Sequence, residues 1–325
     1  KKQQRKRQKL LIVGCGDVAR RTLPRLVGRY RIFALLRDPA QSSFWRDHGA
    51  CPVLADLDQP STLKRLSGLA DIVLHFAPPP ERGSLDPRMR RLLAALCRGQ
   101  SLPQRFVYIS TSGVYGDCAG ERIDETRPVR PATARATRRV DAETQLRRFG
   151  VRGGTRVSIL RAPGIYAADR LPLERLEKGV CALRDEDDVF TNHIHADDLA
   201  MLVCAALRHG RANRCYNATD DAEMKMGEYF DLVADLDEVS NRDGEIGAHQ
   251  LGWLGNLARG VATNGWLSVF DFTNYSDRQF NGDGLAVVEG HFTDIFHAVN
   301  HVVQGVTEVF FLDVILVVFG IHEDV

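Results

Sequence analysis

The sequence predicts a doubly wound α/β fold, a parallel sheet with helices on both faces. Three observations predict it. Six short apolar runs each stop at turn-forming or polar residues, helical stretches lie between most of them, and the first run ends in a glycine turn that opens a helix.

Leu10-Leu11-Ile12-Val13 is fully apolar, as a strand buried on both faces must be. From Val18 to Arg29 apolar residues recur at helical spacing (Val18, Leu23, Leu26, Val27), with Pro24 inside the stretch and expected to kink it. Residues 31–36 form the second run, ending at Arg37-Asp38-Pro39, and residues 52–55 the third, ending at Asp56-Leu57. Residues 72–76 are the fourth, ending at Ala77-Pro78-Pro79-Pro80. Residues 106–109 are the fifth, ending at Ser110-Thr111-Ser112, and residues 157–160 the sixth, ending at Arg161-Ala162-Pro163-Gly164. Helices are expected at 89–97 and 138–149. Ligands of such sheets bind beyond the carboxyl ends of the strands, so each strand end is a candidate site position.

The turn Val13-Gly14-Cys15-Gly16-Asp17-Val18-Ala19 has the spacing G-x-G-x-x-A. The first glycine permits a tight turn, the second lets the main chain approach a pyrophosphate, and the small third residue lets helix and strand pack. The helix start then offers unpaired N–H groups to phosphate. Between a strand and a helix, this is the dinucleotide-binding arrangement of a Rossmann fold. NAD or NADP is the expected cofactor, held by Gly14, Cys15, Gly16, Asp17 and Val18. An acidic residue at the end of the second strand would bind the ribose hydroxyls of NAD. Arg37 stands first there and can pair with the 2′-phosphate of NADP, so NADP is preferred; the alternative is a solvated Arg37 with Asp38 serving NAD.

These residues, with Ala55-Asp56-Leu57, Tyr108-Ile109-Ser110-Thr111-Ser112-Gly113-Val114-Tyr115-Gly116, Leu160 to Tyr166, Asn192 to Ala200 and Tyr216 to Asp221, come in register over roughly 225 residues. In that order they resemble the extended short-chain dehydrogenases/reductases of the NAD-dependent epimerase/dehydratase type, in an atypical subgroup, over about residues 10–237. The resemblance implies an oxidoreductase or epimerase acting on a carbonyl or sugar-like small molecule. It implies that Asp56 and Leu57 contact the adenine and that Ala77 and Pro78 line the cofactor groove. Ser110 joins the cofactor site, and Pro163 and Ile165 sit near the nicotinamide. Thr111, four residues before Tyr115, would polarise the substrate carbonyl, or else simply cap the strand end. Asp197 or Asp198 is expected to cap a helix beginning at Leu199, with His195 packed beside it.

The sequence departs from the family at its catalytic pair. Where the family has Tyr and, four residues on, Lys, this chain has Arg135 and Arg139, and no Tyr-x-x-x-Lys occurs in it. Arginine stays charged and shuttles no proton. Two arginines four apart share a helix face and could grip an anionic substrate or a cofactor phosphate, or be merely solvated. Tyr115 is the nearest tyrosine to stand in as acid. Two functions follow: an enzyme with a relocated proton donor, or a non-catalytic NADP-binding redox sensor or regulator.

Composition bounds the rest. With 325 residues and 44% hydrophobic content the chain can build one large domain with a small substrate lobe, complete or cut short. No run of 18 uncharged apolar residues marks a membrane span, and Lys1–Lys9 is a basic extension rather than a signal peptide. Lys1 in place of Met suggests an upstream start. Seven scattered cysteines show no metal-ligand spacing and imply a reduced, cytoplasmic protein. Arginines dispersed along helices argue against nucleic acid as a partner; a monomer or homodimer is expected. Residues 238–325 carry 3 Arg, no Lys, no Pro and 12 acids, which leaves 40 basic and 30 acidic residues before them. The likeness stops near Asp237. The tail reads either as a variant lobe that adds strands or as the product of a shifted frame with poor order, and the coincident breaks favour the second. Its apolar run, Val306 to Ile321, is short for a membrane span.

Overall fold

The computed structural model describes residues 7–172 and 188–242. The expectations for the tail and for Val306 to Ile321 lie outside the described residues. The described chain forms a seven-stranded parallel sheet. Its strands are β1 (Lys9–Val13), β2 (Arg31–Leu36), β3 (Ala50–Leu54), β4 (Ile72–His75), β5 (Arg105–Thr111), β6 (Arg156–Ala162) and β10 (Arg214–Asn217). Across the sheet they run β10-β6-β5-β4-β1-β2-β3, every pairing parallel. The order reverses between β1 and β4, and the crevice outside their carboxyl ends is where open α/β sheets bind ligands.

Alternation along the strands sorts the core into two layers. Leu10 and Ile12 of β1 face one side, with α1 (Asp17–Leu26) and α5 (Ala196–His209). Leu11 and Val13 face the other, with α3 (Pro87–Leu96) and α4 (Ala134–Gly153). A sheet covered on both faces needs strands apolar at every position, which is why these runs were readable. A short α2 (Ser42–Asp47) leads into β3. Pro52 sits in β3, where an edge strand tolerates its missing N–H.

Three local expectations are corrected. Helix α1 stops at Leu26, two residues after Pro24, with Gly28 at φ +86° turning the chain. Helix α5 begins at Ala196, not Leu199, and its cap is His195, whose Nδ1 accepts the Asp197 N–H at 3.3 Å. The seventh strand, β10, was not foreseen. Two small ladders complete the described fold: β7 (Gly164–Tyr166) with β9 (His193–His195), and β8 (Phe190–Thr191) with β11 (Met224–Lys225), which leads into α6 (Met226–Arg242).

Candidate functional site

The glycine turn lies at the β1/β4 reversal. Gly14 has φ +89°, and a Cβ there would stand 2.2 Å from the Ala77 nitrogen. Its missing side chain is what lets the turn after β1 lie against the exit of β4, where Phe76 and Ala77 both donate to the Val13 carbonyl (2.7 and 3.2 Å). Gly16 is the reverse case: a Cβ there would meet nothing within 4 Å. It is the N-cap of α1 and has no side chain to offer, so the helix's first N–H groups carry no side-chain cap among the described residues. A bare helix start at the sheet's reversal point fits a pyrophosphate. Ala19, the small third residue, is fully buried. The Cys15 thiol donates to the Leu35 carbonyl at 3.3 Å, and burial pushes its pKa up to about 12, so it stays a thiol. Asp17 takes Arg21 on one oxygen (2.9 Å) and Arg170 on the other (3.1 Å); Val18 is buried in the core.

At the end of β2, Arg37 is exposed, while Asp38 turns its carboxylate back to the Ala40 N–H at 2.9 Å. Past β3, Asp56 is half-buried and its Oδ1 accepts the Asp58 N–H at 2.8 Å. Leu57 is buried and its carbonyl accepts from Arg91. Arg88 clamps Asp58 at 2.6 Å and lowers its pKa, with further help from Arg91 and Arg37 against the cost of burial. Arg88 also donates to the Pro78 carbonyl at 3.2 Å, which fixes the loop beyond Ala77. Pro163 and Ile165 are half-buried at the end of β6 and in β7.

The catalytic candidates divide. Thr111 caps a 3-10 turn, Ser112–Tyr115: its hydroxyl oxygen accepts the Gly113 N–H at 3.3 Å. Its own proton has no partner among the described residues and can be donated outward. Tyr115 is buried, and its hydroxyl donates to Asn217 Oδ1 at 2.7 Å. Burial raises its pKa, partly offset by Arg161, whose guanidinium lies 4.8 Å over the ring. Ser110 is buried, with its hydroxyl donated to Glu143 at 2.7 Å.

Arg135 and Arg139 do not share one environment. Arg135 is exposed. Arg139 is buried, and its Nη1 donates to the Tyr108 hydroxyl (2.9 Å) and the Ile109 carbonyl (2.8 Å). The expectation of two solvated arginines is thus corrected for Arg139: helix α4 turns that position against β5. Its charge helps hold His75 neutral. That ring is fully enclosed on β4, its pKa lowered to about 3, by burial first and Arg139 second. Neither ring nitrogen of His75 has a hydrogen-bond partner among the described residues.

Sequence reasoning missed the pair that braces this end of the sheet. Glu143 of α4 and Arg161 of β6 meet at 2.8 Å, each side chain about 5% exposed, with Ser110 bonded to the same carboxylate. The available signal was Arg161 within a strand whose other charged residue, Arg156, stands at its exposed start. Among the described residues, no group of three His, Cys, Asp or Glu could hold a metal, and no helix is long and apolar enough to cross a membrane.

Comparison with known proteins bears on the family and the fold. The chain is 29% identical over 210 residues to a GDP-6-deoxy-D-mannose reductase of Pseudomonas aeruginosa, covering 57% of this chain and 69% of the reductase. It is 22% identical over 151 residues to the human dTDP-D-glucose 4,6-dehydratase, covering 44% of this chain and 43% of that protein. It thus spans less than half the length of the dehydratase. Among solved structures, the Streptomyces venezuelae dTDP-glucose 4,6-dehydratase with NAD bound superposes with a TM-score of 0.59 at 21% identity, covering 70% of this chain and 80% of the other. A UDP-glucose 4-epimerase from Thermotoga maritima gives 0.58 at 17% identity, covering 73% and 84%. At such identities these two establish the fold alone. The model of the NAD dependent epimerase/dehydratase family matches residues 10–219, about two-thirds of the sequence, and the chain belongs to that family.

Proposed function

We propose that this protein is an NADP-preferring oxidoreductase or epimerase acting on a carbonyl or nucleotide-sugar-like small molecule. The observation that carries the reading is the turn at Gly14–Gly16: closed against Ala77 on one side, bare and uncapped on the other. The nicotinamide supplies hydride chemistry when bound. The protein's own residues do the rest. The N–H groups at the start of α1 bind the pyrophosphate. The exposed Arg37 pairs with a 2′-phosphate, while Asp38, whose carboxylate is committed to Ala40, is poorly placed for ribose hydroxyls. Asp56 and Leu57 flank the adenine, and Ala77, Pro78, Pro163 and Ile165 line the groove. Thr111 donates its free proton to a substrate carbonyl oxygen and steadies the charge that grows there. Tyr115, bonded to Asn217, holds the Thr111 turn in place.

The second reading is a non-catalytic NADP-binding sensor. It is favoured by the commitments of Arg139 to Tyr108 and Ile109 and of the Tyr115 proton to Asn217, which leave no proton-relay pair. The full chain is titrated with NADPH and NADH, then screened for oxidation of NADPH by carbonyl and nucleotide-sugar substrates. Arg37→Ala should weaken NADPH at least tenfold and leave NADH unchanged. Thr111→Val should lower kcat about a hundredfold with cofactor affinity intact. Tight binding with no turnover of any substrate supports the sensor. NADPH affinity untouched by Arg37→Ala overturns the NADP assignment.

A further inference from the structure

Asp17 poses an electrostatic problem. It is the first residue of α1, beside the N–H groups on which a pyrophosphate would rest, so its carboxylate repels the anion those groups attract. Two arginines answer it. Arg21 comes from the next turn of the same helix. Its Nη1 also reaches Asp197, in the first turn of α5, so its charge is shared between two carboxylates. Arg170 comes from elsewhere in the chain. It closes a 3-10 turn, Ala168–Arg170, that follows β7, hung from the buried Tyr166 and Ala167 by its own N–H bond to the Ala167 carbonyl. Its Nη1 meets Asp17 Oδ2 at 3.1 Å with the side chain 40% exposed. Its Nε and Nη2 have no partner among the described residues.

We infer that Arg170 is the outer half of the pyrophosphate site. Asp17 orients its guanidinium through Nη1, and the two uncommitted donors bind a pyrophosphate oxygen from the side opposite the helix amides. The inference rests on the reading that the Gly14–Gly16 turn cradles a dinucleotide. It adds a contact from the β7 side of the fold, which the glycine motif does not contain. It also gives a purpose to Asp17, whose charge suits the helix start but opposes a pyrophosphate bound there. A guanidinium suits the task because one edge can hold a carboxylate while the other meets a phosphate.

The test compares Arg170→Gln with Asp17→Asn in the full chain, by titration with NADPH at low and moderate salt. A direct phosphate contact predicts that Arg170→Gln weakens NADPH about tenfold and flattens the salt dependence. The thermal midpoint of the cofactor-free protein should be unchanged, and Arg170→Lys should restore part of the affinity. Asp17→Asn keeps a side-chain oxygen that can accept from Arg170 Nη1 while it removes a repelling charge, so it should lose far less affinity than Arg170→Gln. If Arg170 served only to hold Asp17, the two variants would weaken binding alike, and that result overturns the inference. So does unchanged affinity in Arg170→Gln. A wild-type chain that binds no dinucleotide would remove the underlying reading as well, and is distinguished by that alone.

Discussion

Gly14 and Gly16 stand two residues apart in one motif, yet the structure demands opposite results from replacing them. Alanine at Gly14 must hold φ +89°, which costs an L-residue about 1–2 kcal/mol. Its Cβ would lie 2.2 Å from the Ala77 nitrogen and 2.6 Å from the Ala77 Cα. Non-bonded heavy atoms settle at about 3.5 Å, so the exits of β1 and β4 must part, at a further cost of about 1–3 kcal/mol. The sum, about 2–5 kcal/mol, lowers the midpoint of thermal unfolding by roughly 5–20 °C for a domain of this size. Valine at Gly16 meets nothing within 4 Å, and the backbone there (φ −85°) suits any residue. Stability should fall by only about 1 kcal/mol, the price of a poorer cap. The valine methyls instead occupy the space where a pyrophosphate must lie. Losing two charge-assisted N–H bonds, at about 1.5–3 kcal/mol each, weakens binding at least a hundredfold. Calorimetry for unfolding and fluorescence titration for NADPH read the two quantities separately. A folded Gly16→Val chain that binds NADPH within threefold of the wild type refutes the site. A Gly14→Ala chain that melts with the wild type refutes the close approach.

Two further outcomes follow from buried charge. Glu143→Gln leaves Arg161 enclosed without its counter-ion and should cost about 3–5 kcal/mol in urea unfolding; a smaller loss than about 1 kcal/mol would mean the pair is solvated. His75 has a folded pKa near 3, below its unfolded value, so the fold binds fewer protons than the unfolded chain between those values. Its stability contribution is intact above about pH 6.5 and is lost as pH falls. Between pH 7 and pH 5 the loss is about 2 kcal/mol. His75→Leu should be less acid-sensitive than the wild type by that amount, and parallel stability profiles for the two would contradict it.

What the sequence revealed follows from how each feature is encoded. Parallel strands covered on both faces must be apolar at every position, and β1, β2 and β4 stand out as such runs. The glycine turn was legible because its spacing is imposed by main-chain geometry rather than by side-chain chemistry. Strand β10 escaped because it is an edge strand of four residues, Arg214–Asn217, with polar ends. The burial of Arg139 escaped because spacing tells which residues share a helix face but not which way the face points. On α4, where charged residues occur all round, the usual apolar stripe gives little direction. The His195 cap was missed because two aspartates beside it are the commoner capping residues; Asp197 is instead held by Arg21, and Asp198 is largely buried with its pKa pushed up to about 6, mainly by that burial.

Substituting arginine at the family's lysine position changes what this end of the sheet can do. A lysine four residues after a tyrosine can lower that tyrosine's pKa and so serve a proton relay. Arg139 is longer and planar, stays charged, and is spent on Tyr108 and Ile109 inside the core. Positive charge is exposed instead at Arg37 after β2, at Arg135 in the first turn of α4 and at Arg170. Binding of an anionic cofactor is therefore better provided for than proton transfer. On the proposed reading Thr111 donates a hydrogen bond but does not ionise near neutral pH, so it is not itself the source of the proton. Chemistry of that kind favours steps in which the carbonyl oxygen is stabilised by a hydrogen bond and takes its proton from water.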